Sequence, residues 1–295
     1  MRLLIRHETR LAFAVPVREH QCELRLAPRD DETQRRLSCR IEVEPAAELR
    51  SHLDCFGNEA HRFSLLAPHD QLVARVTSEV ETSLANPFDY APLAPDTERG
   101  WLERRLREEP RLLDFVLHRS EAVPELGSEL AGVAVPAYRP ELSLLDNVQA
   151  AMHWAASYFR WDPSTTEVHS ALAAFAEQRA GVCQDFAHLL VAWVRSKGFA
   201  ARYVMGYVEG NTVPEPAQAE QATHAWVEVL IPGAGWRGFD ATSGLVANDC
   251  YVSVAVGRDS RDAAPLRGTF KGDETGAAPQ VSVRVSRAEQ ECAAQ

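Results

Sequence analysis

The sequence predicts an α+β protein, in which a small antiparallel β domain precedes a core of helices followed by a sheet. Three observations carry this. Apolar and polar residues alternate with period two through residues 1–90. Helical apolar stripes fill residues 142–197, and strand-like runs follow from residue 201 onward.

In the first part, Leu11-Phe13-Val15, Cys22-Leu24-Leu26, Leu37-Cys39-Ile41-Val43 and the run from Leu72 to Val80 alternate as half-buried strands do. Turn formers separate them at Pro28-Arg29-Asp30-Asp31 and Phe56-Gly57-Asn58. A β-sandwich-like domain is expected over residues 1–92, closed by the proline-rich stretch Asn86-Pro87 to Ala94-Pro95.

Residues 93–140 read as a connector, with a charged helix over 98–121 broken at Pro110 and then a proline- and glycine-rich loop. Residues 141–295 read as the core, with tail strands at its end. A helix over 142–159 buries Leu144, Leu145, Val148, Met152 and Ala155. A second is expected to start after Asp162-Pro163, where Ser164 and Glu167 have capping-box spacing, and to run to Arg179. A third spans 183–197, with Phe186, Leu189, Leu190, Trp193 and Val194 on one stripe and Gly198 as its stop. Strands are expected at 201–208, 224–231, 236–240, 251–256 and 281–285.

Bulk properties exclude several classes. The 295 residues are 45% hydrophobic and 25% charged, values of a soluble globular protein. A net charge of −11 argues against a nucleic-acid or membrane-binding surface. No apolar run approaches the roughly 18–20 residues of a membrane span. Residues 1–10 carry charges throughout and do not read as a signal peptide, so a cytoplasmic location is expected. The six cysteines are scattered without a CxxC pair, which disfavours a zinc site or a disulfide framework. The sequence leaves oligomeric state open.

One cysteine differs from the rest. Cys183 follows Gly181-Val182 and opens the third helix. Unpaired N–H groups and the positive end of the helix dipole favour a thiolate there, and the thiolate is the nucleophilic form. By position alone it reads more readily as a small buried residue. His224 and Asp240 add weight. They flank a turn at Pro232-Gly233-Ala234-Gly235, and a hairpin centred near Pro232 sets them directly opposite on one face. A slip of two residues preserves the shared face; a slip of one destroys it. The trio thus supplies nucleophile, base and orienting carboxylate. His188, about 140° around the helix from Cys183, reads as structural or surface. Asp185 reads as a dipole-stabilising residue of the first turn. Gly233-Ala234-Gly235-Trp236-Arg237-Gly238 spells GxGxxG, but a strand follows it, so it reads as a hairpin turn and not a dinucleotide loop.

The segments Gly181-Val182-Cys183-Gln184-Asp185-Phe186, Ala201-Arg202-Tyr203-Val204-Met205-Gly206-Tyr207, His224-Ala225-Trp226-Val227-Glu228 and Phe239-Asp240-Ala241-Thr242 resemble the core of the bacterial transglutaminase-like superfamily. Ala255-Val256-Gly257-Arg258-Asp259 resembles the tail seen in that family, and Pro16-Val17 with Phe56-Gly57-Asn58 its preceding β domain. The resemblance implies a papain-like core with Cys183 as nucleophile, His224 as base and Asp240 as third member. It departs at Ala241-Thr242-Ser243, where Pro-Thr-Asn is common in the family. Trp161 stands where the family often has an aromatic residue, and Trp161, Trp226 and Gln184 are cleft or oxyanion candidates.

The expected chemistry is thiol-dependent acyl transfer on a peptide, protein or small amide, needing no metal or organic cofactor. The Cys183 backbone N–H is the first oxyanion donor; Glu177 occupies the position of papain's glutamine, so the second is unassigned. Hydrolysis is slightly favoured over amine transfer. A non-catalytic binding module with a relic site, and a mononuclear metal site on the same three residues, are the competing readings.

Overall fold

The computed structural model describes residues 1–165, 171–210, 223–272 and 279–288. Strand β1 (Arg2–Leu24) runs through both layers of the first half. Its beginning pairs with β5 (His69–Thr82), and its end pairs with β4 (Glu59–Leu65). The register with β5 shifts between Ala12 and Val17, where the strand passes from one layer to the other. Strand β2 (Gln34–Glu44) flanks β5, and β3 (Arg50–Leu53) flanks β4. Cys22, Leu24, Leu26, Phe63, Leu65, Leu72 and Val76 fill the space between the layers. The predicted alternation is the inward parity of these strands except at Val15 and Leu37, which are exposed, and the strands form one curled sheet whose two layers share β1.

The rest of the chain begins with α1 (Pro95–Glu108), a 3-10 turn at Pro110–Leu113 and α2 (Asp114–Leu117). Pro110 breaks the charged helix as expected, since it lacks an N–H and crowds the preceding turn. Strands β6 (Glu129–Leu130) and β7 (Val133–Ala134) form a small ladder in the expected loop. Helix α3 (Leu144–Tyr158) is capped by Ser143, whose side chain accepts from the Asp146 N–H. Strand β8 (Arg160–Trp161) and helix α4 (Leu172–Gln178) follow. This helix starts later than predicted. The Ser164 N–H and Oγ both donate to Asp162 Oδ1, at 3.0 and 2.6 Å, and close a turn instead of capping a helix. Glu167, the expected capping partner, lies outside the described residues.

Strand β9 (Ala180–Gly181) pairs in parallel with β8 and leads into α5 (Cys183–Ser196). Gly198 ends that helix with φ 78°. Next come β10 (Ala201–Val208), β11 (His224–Ile231), β12 (Gly235–Asp240), β13 (Leu245–Val246) and β14 (Tyr251–Gly257), in the spatial order β13-β12-β11-β10-β14. The stripe Phe186, Leu189, Leu190, Trp193 and Val194 packs α5 on this sheet, in one core with Ala225, Val227, Val229 and Phe239. Gly233 and Gly235 take φ 83° and 79° in the β11–β12 hairpin, so the GxGxxG string is a turn.

The last strands, β15 (Leu266–Lys271) and β16 (Gln280–Arg287), both pair antiparallel with β1. Residues 281–285, expected among the tail strands of the core, lie instead on the first-half sheet. Val283 and Val285 sit across from His7 and Ile5 and cover part of the main core. An alternating run declares its period but not its partner strand.

The outer edge of β14 faces the first half, where two side-chain amides take the place of a neighbouring strand. Gln34 donates to the Ser253 carbonyl at 2.8 Å and accepts from the Ser253 N–H at 2.7 Å. Asn58 treats Val256 the same way, at 2.8 Å in both directions. Each amide offers one donor and one acceptor side by side, which matches a strand edge. No described helix is long and apolar enough to cross a membrane.

Candidate active site

The turn into α5 is closely packed. A Cβ on Gly181 would fall 2.5 Å from Asp185 Oδ2 and 2.6 Å from Phe175, so only glycine fits. Asp185 is buried, and its Oδ2 accepts from the Val182 N–H at 2.9 Å. The carboxylate thereby closes the helix start, as its first-turn position predicts. Cys183 is the first residue of α5 and is half-buried, and its N–H belongs to the turn whose donors the helix does not use.

His224 opens β11 and Asp240 ends β12. The hairpin pairs Val227 with Phe239 and Ile231 with Gly235, two positions away from the expected register. His224 is therefore diagonal to Asp240 and not directly opposite, and both remain on one face. His224 Nε2 lies 2.9 Å from Asp240 Oδ2.

Asp240 is 0% exposed yet well supplied with donors. Its Oδ2 also accepts from Ser243 Oγ at 2.8 Å and from the Tyr251 hydroxyl at 3.0 Å. Its Oδ1 takes the Thr242 N–H at 3.0 Å and the Ser243 N–H at 3.4 Å. Burial opposes its charge, but His224 and these hydrogen bonds outweigh that and hold its carboxyl below the usual range. Burial likewise opposes a charge on His224. The Asp240 carboxylate and hydrogen bonds to Asp240 and Cys183 prevail and raise the imidazole to about 10. With Nε2 taken by Asp240, Nδ1 is the nitrogen left for the thiol. The structure therefore brings Cys183, His224 and Asp240 together.

Burial pushes Cys22 up to about 12 and also raises Cys39 and Cys250. Burial and nearby Asp54 raise Cys55. Cys292 lies outside the described residues. His188 is buried, accepts from the Ser260 N–H at 3.1 Å and leans on Tyr203, so it is structural and not a surface residue. Among the described residues no cluster of three or more His, Cys, Asp or Glu is arranged to hold a metal.

The cleft candidates divide. Trp161 pairs across the β8–β9 ladder with Gly181, two residues before Cys183, and stands beside the chain that carries the thiol. Gln184 follows Cys183 in the first turn and is half-buried. Trp226 is 2% exposed. It packs with Val204, Tyr251 and Val256 on the far side of the sheet from α5, with its ring 6.3 Å from that of His224. Gly206 and Gly238 leave room there for its indole. Sequence reasoning missed Ser243 and Tyr251. Ser243 falls in the triplet that departs from the family pattern. Tyr251 carried one signal, a phenol at the head of a mostly apolar strand.

A helix-then-sheet core with a cysteine at the head of its central helix and a histidine–carboxylate pair on the adjoining hairpin is the papain-like class of α+β fold. Residues 3–81 match the bacterial transglutaminase-like N-terminal region, and residues 132–241 match the transglutaminase-like superfamily. An uncharacterised protein of Mycobacterium leprae is 33% identical over 92% of this chain and 94% of its own length. One from Mycobacterium tuberculosis is 29% identical over 96% of this chain and 92% of its own. The crystal structure of a proposed cysteine protease from Cytophaga hutchinsonii superposes with a TM-score of 0.65 at 21% identity, covering 97% of this chain and 90% of that one. The chain belongs to the transglutaminase-like superfamily.

Proposed function

We propose that this protein is a thiol-dependent enzyme that cleaves a peptide or carboxamide bond through an acyl-enzyme, with Cys183 as nucleophile. The observation that carries this reading is the placement of His224, bonded to buried Asp240 through Nε2 and within hydrogen-bonding reach of the Cys183 thiol. An imidazole raised to about 10 holds its proton at neutral pH and stabilises a thiolate beside it. The thiolate attacks the carbonyl carbon, and the oxyanion forms next to the Cys183 N–H at the helix head. His224 then donates its proton to the leaving amine, and a thioester remains. Water resolves the thioester, giving a carboxylic acid and the free thiol. The residues on this path carry the chemistry without a metal or organic cofactor.

A glutamine-containing peptide with a labelled primary amine tests the reaction. Deamidation or cleavage that disappears in Cys183→Ala supports the reading. Amine incorporation outrunning deamidation transfers the second step from water to an amine. Alkylation by iodoacetamide at mildly acidic pH tests the alternative of a binding module with a relic site. Cys183 reacting no faster than the other cysteines removes the case for an enzyme.

A further inference from the structure

Asp240 Oδ2 receives three side-chain donors: His224 Nε2 at 2.9 Å, Ser243 Oγ at 2.8 Å and the Tyr251 hydroxyl at 3.0 Å. Tyr251 comes from another strand, and it is the first residue of β14. Its ring is held edge-on by Trp226, with centroids 5.3 Å apart. Two residues along β14, Ser253 is clamped through both its N–H and its carbonyl by the Gln34 amide. Thr82 Oγ1 also donates to the Asp249 carbonyl, just ahead of Tyr251. The first-half sheet therefore fixes the strand whose hydroxyl bonds the carboxylate.

We propose that Tyr251 is a positioning residue for the His224–Asp240 pair, and that Gln34 sets its place, making the N-terminal sheet a working part of the site. Each donor on Oδ2 takes a share of the carboxylate's negative charge and restricts its rotation. The Tyr251 bond thus limits how tightly Asp240 holds the imidazolium. Its hydroxyl keeps its own proton, since burial and then Asp240 and Cys250 push its titration upward. The groups acting on His224 are Asp240 from β12 and Cys183 from α5.

The inference gives the proposed acyl-transfer site a second support, and its test is independent of thiol chemistry. The His224 ring is titrated by NMR in full-length Cys183→Ala protein, with its signals assigned by comparison with a His224→Gln spectrum. Tyr251→Phe is expected to raise the His224 midpoint by about half a pH unit or more, because the carboxylate becomes a stronger acceptor. Gln34→Leu is expected to shift it without touching the site, and Gln34→Glu serves where Leu prevents folding. A lowered melting temperature with an unmoved midpoint in Tyr251→Phe reduces the residue to packing and overturns the proposal. An unmoved midpoint in both folded Gln34 variants overturns the link to the N-terminal sheet. Failure of the enzyme reading appears elsewhere, in the alkylation of unmodified protein.

Discussion

His224 and Asp240 meet diagonally across the β11–β12 hairpin, with Nε2 2.9 Å from Oδ2, and the carboxylate is fully enclosed. Directly opposed side chains crowd one another at their Cβ atoms. A diagonal pair has room for an imidazole to lie between carboxylate and thiol.

Asp240→Asn removes the charge that keeps His224 protonated. The imidazole falls from about 10 toward its ordinary value. Alkylation of Cys183 at pH 8, where an imidazole at its ordinary value has lost its proton, should slow about tenfold or more, with the other thiols unchanged. Peptide mapping of alkylated cysteines checks this.

Gly181→Ala places a methyl group 2.5 Å from Asp185 Oδ2 and 2.6 Å from Phe175. The Asp185 bond to the Val182 N–H should break and the head of α5 should shift. We expect about 1–3 kcal/mol of lost stability and a large drop in Cys183 reactivity. Urea unfolding and alkylation rates measure the two effects separately.

Asn58→Leu strips both hydrogen bonds from Val256 on the edge of β14. Asn58 is 0% exposed, so water cannot replace them. A loss of about 2–4 kcal/mol is expected in urea denaturation.

Stability should be greatest near pH 6.5 and fall on either side. Burial lowers His7 and His188 to about 4, so their unfolded forms bind protons that the native state refuses. Stability is lost as pH falls from 6.5 toward 4. His224 behaves oppositely. Raised to about 10, it contributes fully below 6.5 and loses that contribution as pH rises through 10. Each arm is on the order of a few kcal/mol. Unfolding free energies across this range, repeated in His224→Gln, should show the alkaline arm flattened.

Local signals carried most of the fold. The stripe of α5, the bounds of β10 and β11, and the break at Pro110 all depend on periods of a few residues, which a sequence displays directly. Cys183 was legible because a helix start is a local event. The shared face of His224 and Asp240 was legible because parity survives a slip of two. Their register was not, since it depends on how the turn at Pro232 closes. Tyr251 and the strand partner of Val281–Val285 were hidden for a different reason. Both involve chain segments far apart in sequence, and no local period reports such a meeting. The start of α4 was misplaced because Asp162 engages Ser164 in a turn that competes with helix capping.

Strand β1 pairs with a segment far along the chain, since Leu3 lies across from Arg287 and Leu4 from Ser286. On the ribosome, β16 emerges only after the intervening helices and the second sheet. The first sheet therefore cannot complete its ladder until those elements have been synthesised. Closing so long a loop makes this pairing a late event in folding, and β16 adds its edge to strands made well before it.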